Sequence, residues 1–335
     1  MLTECYDCVV VGAGLSGLVA AARLRVDGLR VLVLDKGRGV GGRLATRTFE
    51  GGRFDYGAQF FTVRTPEFQA MVVELTAAGI VAEWSHGFHL ADGTMKDTGE
   101  RRYRGARGMR AIATYLARDC DVRSQTAAVA VTHDQGAWTV RLADGSAVRG
   151  RGLILTPPVP QSLALLDAGS IALPTDMRAD LARLTYEPCL AVMAVLTGPS
   201  GLAVPGGVWF PGEPVAWLAD NRVKRISQDD TAAACITVHA GPAFSRAHAD
   251  DIQTGAALLL AHVSSHLGSP VAHSQAHRWK YSQPVFRYQA AMSSVSVPGP
   301  LVFAGDAFGA GRVEGAALSG LAAAAHTSQQ VRSTQ

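Results

Sequence analysis

A short apolar run, Cys8-Val-Val-Val-Gly12, is followed by Gly14 and Gly17, and a second apolar run from Val31 to Leu34 ends in Asp35. Between the runs, Leu15, Leu18, Val19 and Ala22 recur at helical spacing over residues 14–28, so the stretch reads strand, helix, strand. That is a βαβ unit, and the glycines at its first turn spell G-x-G-x-x-G. Each glycine has a separate duty. Gly12 makes the tight turn, Gly14 lets a pyrophosphate come close to the backbone, and Gly17 packs the helix against the strand; Leu15 and Ser16 stand with them at the helix start. Asp35, about 20 residues on, is placed to accept a hydrogen bond from a ribose hydroxyl. The unit is therefore read as a dinucleotide site in an α/β chain.

Which dinucleotide follows from the next segment, Lys36-Gly-Arg-Gly-Val-Gly-Gly-Arg43, and from Asp55-Tyr-Gly-Ala-Gln-Phe-Phe-Thr62. NAD dehydrogenases carry no such continuation, and FAD is the expected cofactor. Gly42 lets the backbone run close to the dinucleotide, and Arg43 can neutralise a pyrophosphate already seated at the positive end of the first helix. Gly57, Ala58, Gln59 and Phe60 then lie on the flavin side. At the far end, Leu301-Val-Phe-Ala-Gly-Asp306 is another strand ending in an acid, followed by a glycine-rich loop and a helix over 314–325. Asp306 can accept from a ribityl hydroxyl, and the amides of Val313, Glu314, Gly315 and Ala316 would turn a helix's positive end toward the isoalloxazine, favouring an anionic reduced flavin.

The pattern D-K-G-x-G-x-G-G-R resembles the flavoproteins with two dinucleotide-binding motifs, which include amine oxidases, protoporphyrinogen oxidases and renalases. The segments G-V-G-G-R-L-A-T-R, F-D-Y-G-A-Q-F-F-T, H-A-G-P-A-F-S, H-R-W-K-Y-S and G-D-A-F-G-A-G-R-V-E-G-A-A-L-S-G together resemble the bacterial renalases, from Val9 to Ala324. The resemblance implies a noncovalent FAD that takes hydride from misreduced dihydronicotinamide isomers of NAD(P)H, releases NAD(P)+ and passes electrons to oxygen as hydrogen peroxide. This would be a metabolite-repair reaction. It implies a Rossmann-type FAD domain, of the p-hydroxybenzoate hydroxylase and amine oxidase kind, with a smaller α+β substrate domain. It also places the backbone near Ala128 against adenine and makes His239 and Trp279 pocket rings beside the nicotinamide; the Gln59 amide could orient the flavin edge or a carboxamide, or simply cap its loop. Hydride transfer from a dihydropyridine needs positioning and a water-poor aromatic pocket more than a general base. Two rivals remain: a flavin amine oxidase of a small amine, with Lys280 near the flavin, and a binding or scaffold protein on the same fold that has lost catalysis.

The FAD domain is assigned to 1–65, 99–158 and 278–335, and the substrate domain to 66–98 and 159–277. In the first, a helix is expected over 105–118, strands over 122–131 and 137–142 with a hairpin at Asp144-Gly145, and an exit at Pro157-Pro158. In the second, strands are expected over 190–197, 208–210, 215–218 and 235–239, then a helix over 250–267 stopped by Gly268. The end, 326–335, reads as polar and frayed.

With 48% apolar and 18% charged residues, the 335-residue chain is globular. Its 31 basic and 28 acidic residues leave a charge of +3 without any Lys/Arg block, which argues against a nucleic-acid partner. No apolar run approaches the roughly 18 residues of a membrane span, and Glu4 and Asp7 stand where a secretory signal would be basic. A cytoplasmic location is expected. Five cysteines, an odd number, are expected as free thiols, and Cys8 of the Cys5-x-x-Cys8 pair lies inside a strand rather than at an activating helix start. No metal is expected. The pairs His262/His266 and His273/His277 have i, i+4 spacing but enclose no Glu.

Overall fold

A computed structural model describes residues 5–226, 233–296 and 298–333. They form two compact units, 1–42 with 113–185 and 284–335, and 43–112 with 186–283.

The first unit is a doubly covered parallel sheet. Valines and leucines buried on both faces make the short strands Cys5–Val11 and Val31–Leu34, as a parallel sheet between helices requires. In the order Ser293–Val295, Leu301–Phe303, Ala147–Leu155, Cys5–Val11, Val31–Leu34, Asp121–Arg123, every pair but the first is parallel. The strands Ala128–Asp134 and Ala137–Leu142 form an antiparallel meander on the first half of Ala147–Leu155. The helices Leu15–Val26 and Arg312–Ser333 pack closely at Gly320, where a Cβ would stand 2.4 Å from the Ser16 carbonyl oxygen. Leu18, Leu24, Val33, Ile154, Val302 and Ala324 meet in one fully buried core.

The polar-looking end is helical to Ser333 rather than frayed. Ala324, Thr327, Ser328 and Val331 form a buried stripe at helical spacing, and Thr327 and Val331 close over Gly152, where a Cβ would stand 3.1 and 3.3 Å from them. Serine and threonine do not look apolar in sequence, yet, being small, they suit a helix laid tightly on a sheet.

The second unit is a seven-stranded sheet in the order Val271–Pro284, Tyr186–Leu196, Cys235–Ala240, Val215–Asp220, Gly207–Trp209, Val81–Leu90, Met95–Gly105. A hairpin of Thr46–Phe49 and Gly52–Asp55 belongs to this unit. Both outermost strands escape the sequence reading, because Met95–Gly105 and Val271–Pro284 are charged and largely exposed, as edge strands commonly are. The helix expected over 105–118 is shorter, Arg110–Ala117, because Gly105 ends a strand and Gly108 turns the chain with φ 93°. The helix expected over 250–267 divides into Ile252–His262, capped by Asp251, and Ser264–Leu267, closed by Gly268 with φ 75°. The strand expected over 122–131 divides into Asp121–Arg123 and Ala128–Asp134.

The chain passes between units at 42/43, 112/113, 185/186 and 283/284, where the sequence reading placed the changes at 65/66, 98/99, 158/159 and 277/278. Residues 43–65 belong to the second unit because Asp55 is bonded to Met109 and Lys224. The helices Val159–Ala168 and Thr175–Ala182 belong to the first, where Gly169 is pressed so closely on the Val131 carbonyl that no side chain would fit.

Candidate functional site

In the first unit the glycine-rich turn is built as its spacing implies. Gly12 has φ 106°, and a Cβ on Gly17 would stand 2.0 Å from the Gly12 carbonyl oxygen, so helix and turn meet only because Gly17 has no side chain. Gly14 is the N-cap and supplies no side-chain bond, which leaves the first helical amides without a side-chain acceptor. A Cβ built on Gly14 would meet no atom within 4 Å, so the space before those amides is open. Ser16, in the first helical turn, has a buried hydroxyl with no partner. The segment 37–42 folds back on the turn: the Gly41 amide donates to the Ala13 carbonyl at 2.8 Å, and a Cβ on Gly42 would stand 3.4 Å from the Gly14 Cα.

The Asp35 carboxylate accepts the Ala13 and Gly37 amides, both at 2.6 Å. It therefore braces the two glycine segments against each other, and its remaining lone pairs can still accept a hydroxyl. Lys36 reaches Gln161 at 3.4 Å. Ala128 opens the meander opposite Leu142. Asp306 lies in the turn after Leu301–Phe303, held by the Gly305 amide donating to Ser319 Oγ at 2.9 Å. The final helix starts at Arg312, so Val313, Glu314 and Gly315 lie in its first turn and Ala316 follows it, and the buried Glu314 puts a carboxylate at its positive end.

In the second unit, Arg43 lies in the 3-10 turn Gly42–Leu44 with its guanidinium 3.4 Å from the Ser282 carbonyl and over the Tyr186 ring at 5.7 Å. Gly57 is obligatory: a Cβ there would stand 2.1 Å from the Arg43 carbonyl oxygen, which also accepts the Ala58 amide at 2.8 Å. Gln59 donates Nε2 to the Asp55 and Gly57 carbonyls at 2.5 and 3.2 Å, so it does cap its own loop, and its buried Oε1 has no partner.

Asp55, which in sequence only opens the segment 55–62 with no role of its own, anchors this loop. Fully buried, its carboxylate accepts Lys224 Nζ at 2.6 Å, Thr46 Oγ1 at 2.5 Å and the Met109 amide at 2.8 Å. Its own amide donates to Asn221 Oδ1 at 3.2 Å, and its carbonyl also accepts Thr237 Oγ1 at 3.0 Å. Burial pushes the Lys224 ammonium below the usual lysine range, and the Asp55 carboxylate pulls it back up.

His239 and Trp279 converge on one atom, the Tyr56 carbonyl oxygen, at 3.1 and 2.8 Å. Trp279 also stacks on the Tyr56 ring, with centroids 5.2 Å apart, and His277 meets both rings edge-on. A carbonyl only accepts, so His239 Nε2 carries the proton. Burial pushes His239 down to about 4; the Tyr56 bond opposes the shift and the Lys224 charge adds to it. Because the unfolded chain binds that proton near pH 6.5 and the folded one only near 4, stability is full above 6.5 and declines as pH falls through this window. The expected loss by pH 4 is about 3 kcal/mol from this one residue. Urea denaturation at pH 4.5 and 7 checks it: His239→Gln, which donates but does not titrate, narrows the difference, and an unchanged difference refutes the assignment.

Phe60 begins an aromatic nest with Trp84, Phe88, Trp209 and Trp217, with ring centroids 4.7 to 6.2 Å apart. The buried Arg102 lies over Phe60 and Phe88 at 5.9 and 5.3 Å, and Lys224 over Trp84 at 4.7 Å. Lys280, in contrast, is exposed beside the Tyr281 ring. The enclosed lysine is Lys224, which sequence reasoning passed over because nothing around it repeats a motif. No group of His, Cys, Asp or Glu able to hold a metal occurs among the described residues.

Residues 77–327 match the family of flavin containing amine oxidoreductases, and residues 10–75 match the NAD(P)-binding Rossmann-like domain. The chain belongs to the flavin-containing amine oxidoreductase family. As a member of a family of flavin-containing oxidoreductases it has FAD as its cofactor, and the open, uncapped helix start at Gly14 together with the unpartnered Ser16 hydroxyl fits that group. Coproporphyrinogen III oxidase of Mycobacterium leprae is 45% identical over 69 residues, 20% of this chain and 15% of that protein. Putrescine oxidase of Kocuria rosea is 42% identical over 69 residues, 21% of this chain and 14% of that protein. The matched stretches thus span only a small part of these curated relatives. Among solved structures, putrescine oxidase bound to putrescine superposes with a TM-score of 0.70 at 17% identity, covering 97% of this chain and 99% of the other. Cyclohexylamine oxidase from Brevibacterium oxydans gives 0.72 at 15%, covering 98% and 100%. At such identities these likenesses speak for the fold. No helix among the described residues is long and apolar enough to cross a membrane.

Proposed function

We propose that this family member is an oxidase of misreduced dihydronicotinamide isomers of NAD(P)H, returning NAD(P)+ and, with oxygen, hydrogen peroxide. The observation that carries the reading is the aromatic nest beginning at Phe60, next to the Gln59 loop, whose faces at Phe60, Phe88 and Trp84 are already occupied by Arg102 and Lys224. Cations in place there repel an ammonium and favour a donor whose reacting ring is neutral. Bound FAD would supply the hydride acceptor and the route for the electron pair to oxygen. The protein's part is to hold the donor in a water-poor setting. A dihydropyridine gives up hydride by the push of its own ring nitrogen, so it asks for no general base. His239 agrees with that division of labour, since it is neutral and its Nε2 proton is committed to Tyr56.

The second reading, oxidation of a small amine, is favoured by the family match. Anaerobic mixing of the flavin-loaded protein with borohydride-generated dihydronicotinamide isomers and, separately, with a panel of amines decides between them. Rapid flavin bleaching by the isomers alone, with release of NAD(P)+, is the expected result. Bleaching by an amine with the isomers inert would overturn it, and a protein that retains no flavin would point to the scaffold.

A further inference from the structure

Lys224 lies in the turn after the strand Val215–Asp220, with no exposed surface, and its amide donates to the Asp220 carbonyl at 2.9 Å. Its ammonium has two neighbours of different kinds. One is the Asp55 carboxylate at 2.6 Å, the anchor of the turn that carries Gln59 and Phe60. The other is the indole of Trp84 at 4.7 Å, a wall of the aromatic nest. Trp84 is tied in turn by Nε1 donating to the Pro205 carbonyl at 2.9 Å and by its edge-on contact with Phe88 at 4.7 Å.

Stability does not account for such a pair. Taking both charges out of water costs about as much as their attraction returns, and well-packed apolar residues of like volume commonly serve as well or better. What apolar residues cannot do is hold a carboxylate and an indole face at fixed distances from one point. We propose that Lys224 is a positioning residue, whose ammonium clamps the turn 55–60 to Trp84 and so sets where the rings of the nest stand beside Gln59 and Phe60. The proposal rests on the reading of this turn and nest as the place where the electron donor is held.

The test compares Lys224→Met, Asp55→Asn and the double variant with the unaltered protein. Each single change leaves one group of the pair buried without its counter-charge, so each lowers the melting temperature, and the double variant regains most of the loss. The clamp is still missing in the double variant. With whichever donor bleaches the unaltered protein, its flavin is reduced roughly tenfold more slowly, as a small misplacement of a positioning group produces. The Trp84 emission, isolated by difference against Trp84→Phe in the flavin-loaded protein, stays shifted. A double variant that recovers melting temperature, reduction rate and emission together would overturn the proposal, because a merely structural pair behaves that way. If no donor bleaches the unaltered protein, the functional reading fails by itself while the emission still decides on the clamp. If the variants do not fold, alkaline titration of the unaltered protein decides: Trp84 emission shifts as the ammonium loses its proton, and emission that stays flat until unfolding refutes the clamp.

Discussion

Asp55→Ala loses about 3–5 kcal/mol of stability, because it leaves the Lys224 ammonium buried without a counter-charge. Lys224 has no exposed surface, and Asp55 is its only ion-pair partner among the described residues. The same change strands the Thr46 hydroxyl and the Met109 amide, which both end on the Asp55 carboxylate. A domain is typically stable by only about 5–15 kcal/mol, so the variant is marginal at physiological temperature. Urea denaturation checks this against Asp55→Asn, which keeps one acceptor oxygen for the Thr46 hydroxyl and the Met109 amide and loses less. An Asp55→Ala variant within about 1 kcal/mol of the unaltered protein, the scale of an ordinary surface change, would show that the pair is not the buried anchor described.

Gly17→Ala yields a colourless protein after desalting. The added methyl would stand 2.0 Å from the Gly12 carbonyl oxygen and 3.0 Å from Thr156 Oγ1. The first obstacle is backbone, so relief requires moving the helix Leu15–Val26 off the turn, at a cost of about 3 kcal/mol or more on the scale of overpacked cores. That movement displaces the helical amides meant for a pyrophosphate. Flavin absorbance in the retained fraction is the measurement, with Gly28→Ala as a control: a Cβ there meets no atom within 4 Å, although its φ of 84° brings strain of its own. Retention of full colour by Gly17→Ala would place the cofactor's phosphates elsewhere.

Where local chemistry and fold agree, the residues were enough. The first strand, helix and second strand lie within a few residues of their sequence assignments, since buried apolar runs and a glycine turn leave the chain few alternatives. The polar edge strands were hidden because their pairing, not their hydrophobicity, makes them strands. The helical end past Ala325 was hidden for a related reason: Thr327 and Ser328 are buried by a tight fit that no polarity scale registers.

The site divides along the same line. The glycines at 12, 17 and 57 could be read because each has a steric duty that only a missing side chain fulfils, and the acid Asp35 because it follows a strand at a fixed offset. His239 and Trp279 were picked out as rings, but only tertiary structure turned both toward the Tyr56 carbonyl. It alone brought together Asp55 with Lys224, and Phe60 with four rings from three strands. Sequence determines what depends on near neighbours, namely turns, periodicity and the cofactor class. Which distant charges and rings are buried together depends on the register of a sheet whose strands come from both halves of the chain, and that is fixed only when the sheet closes.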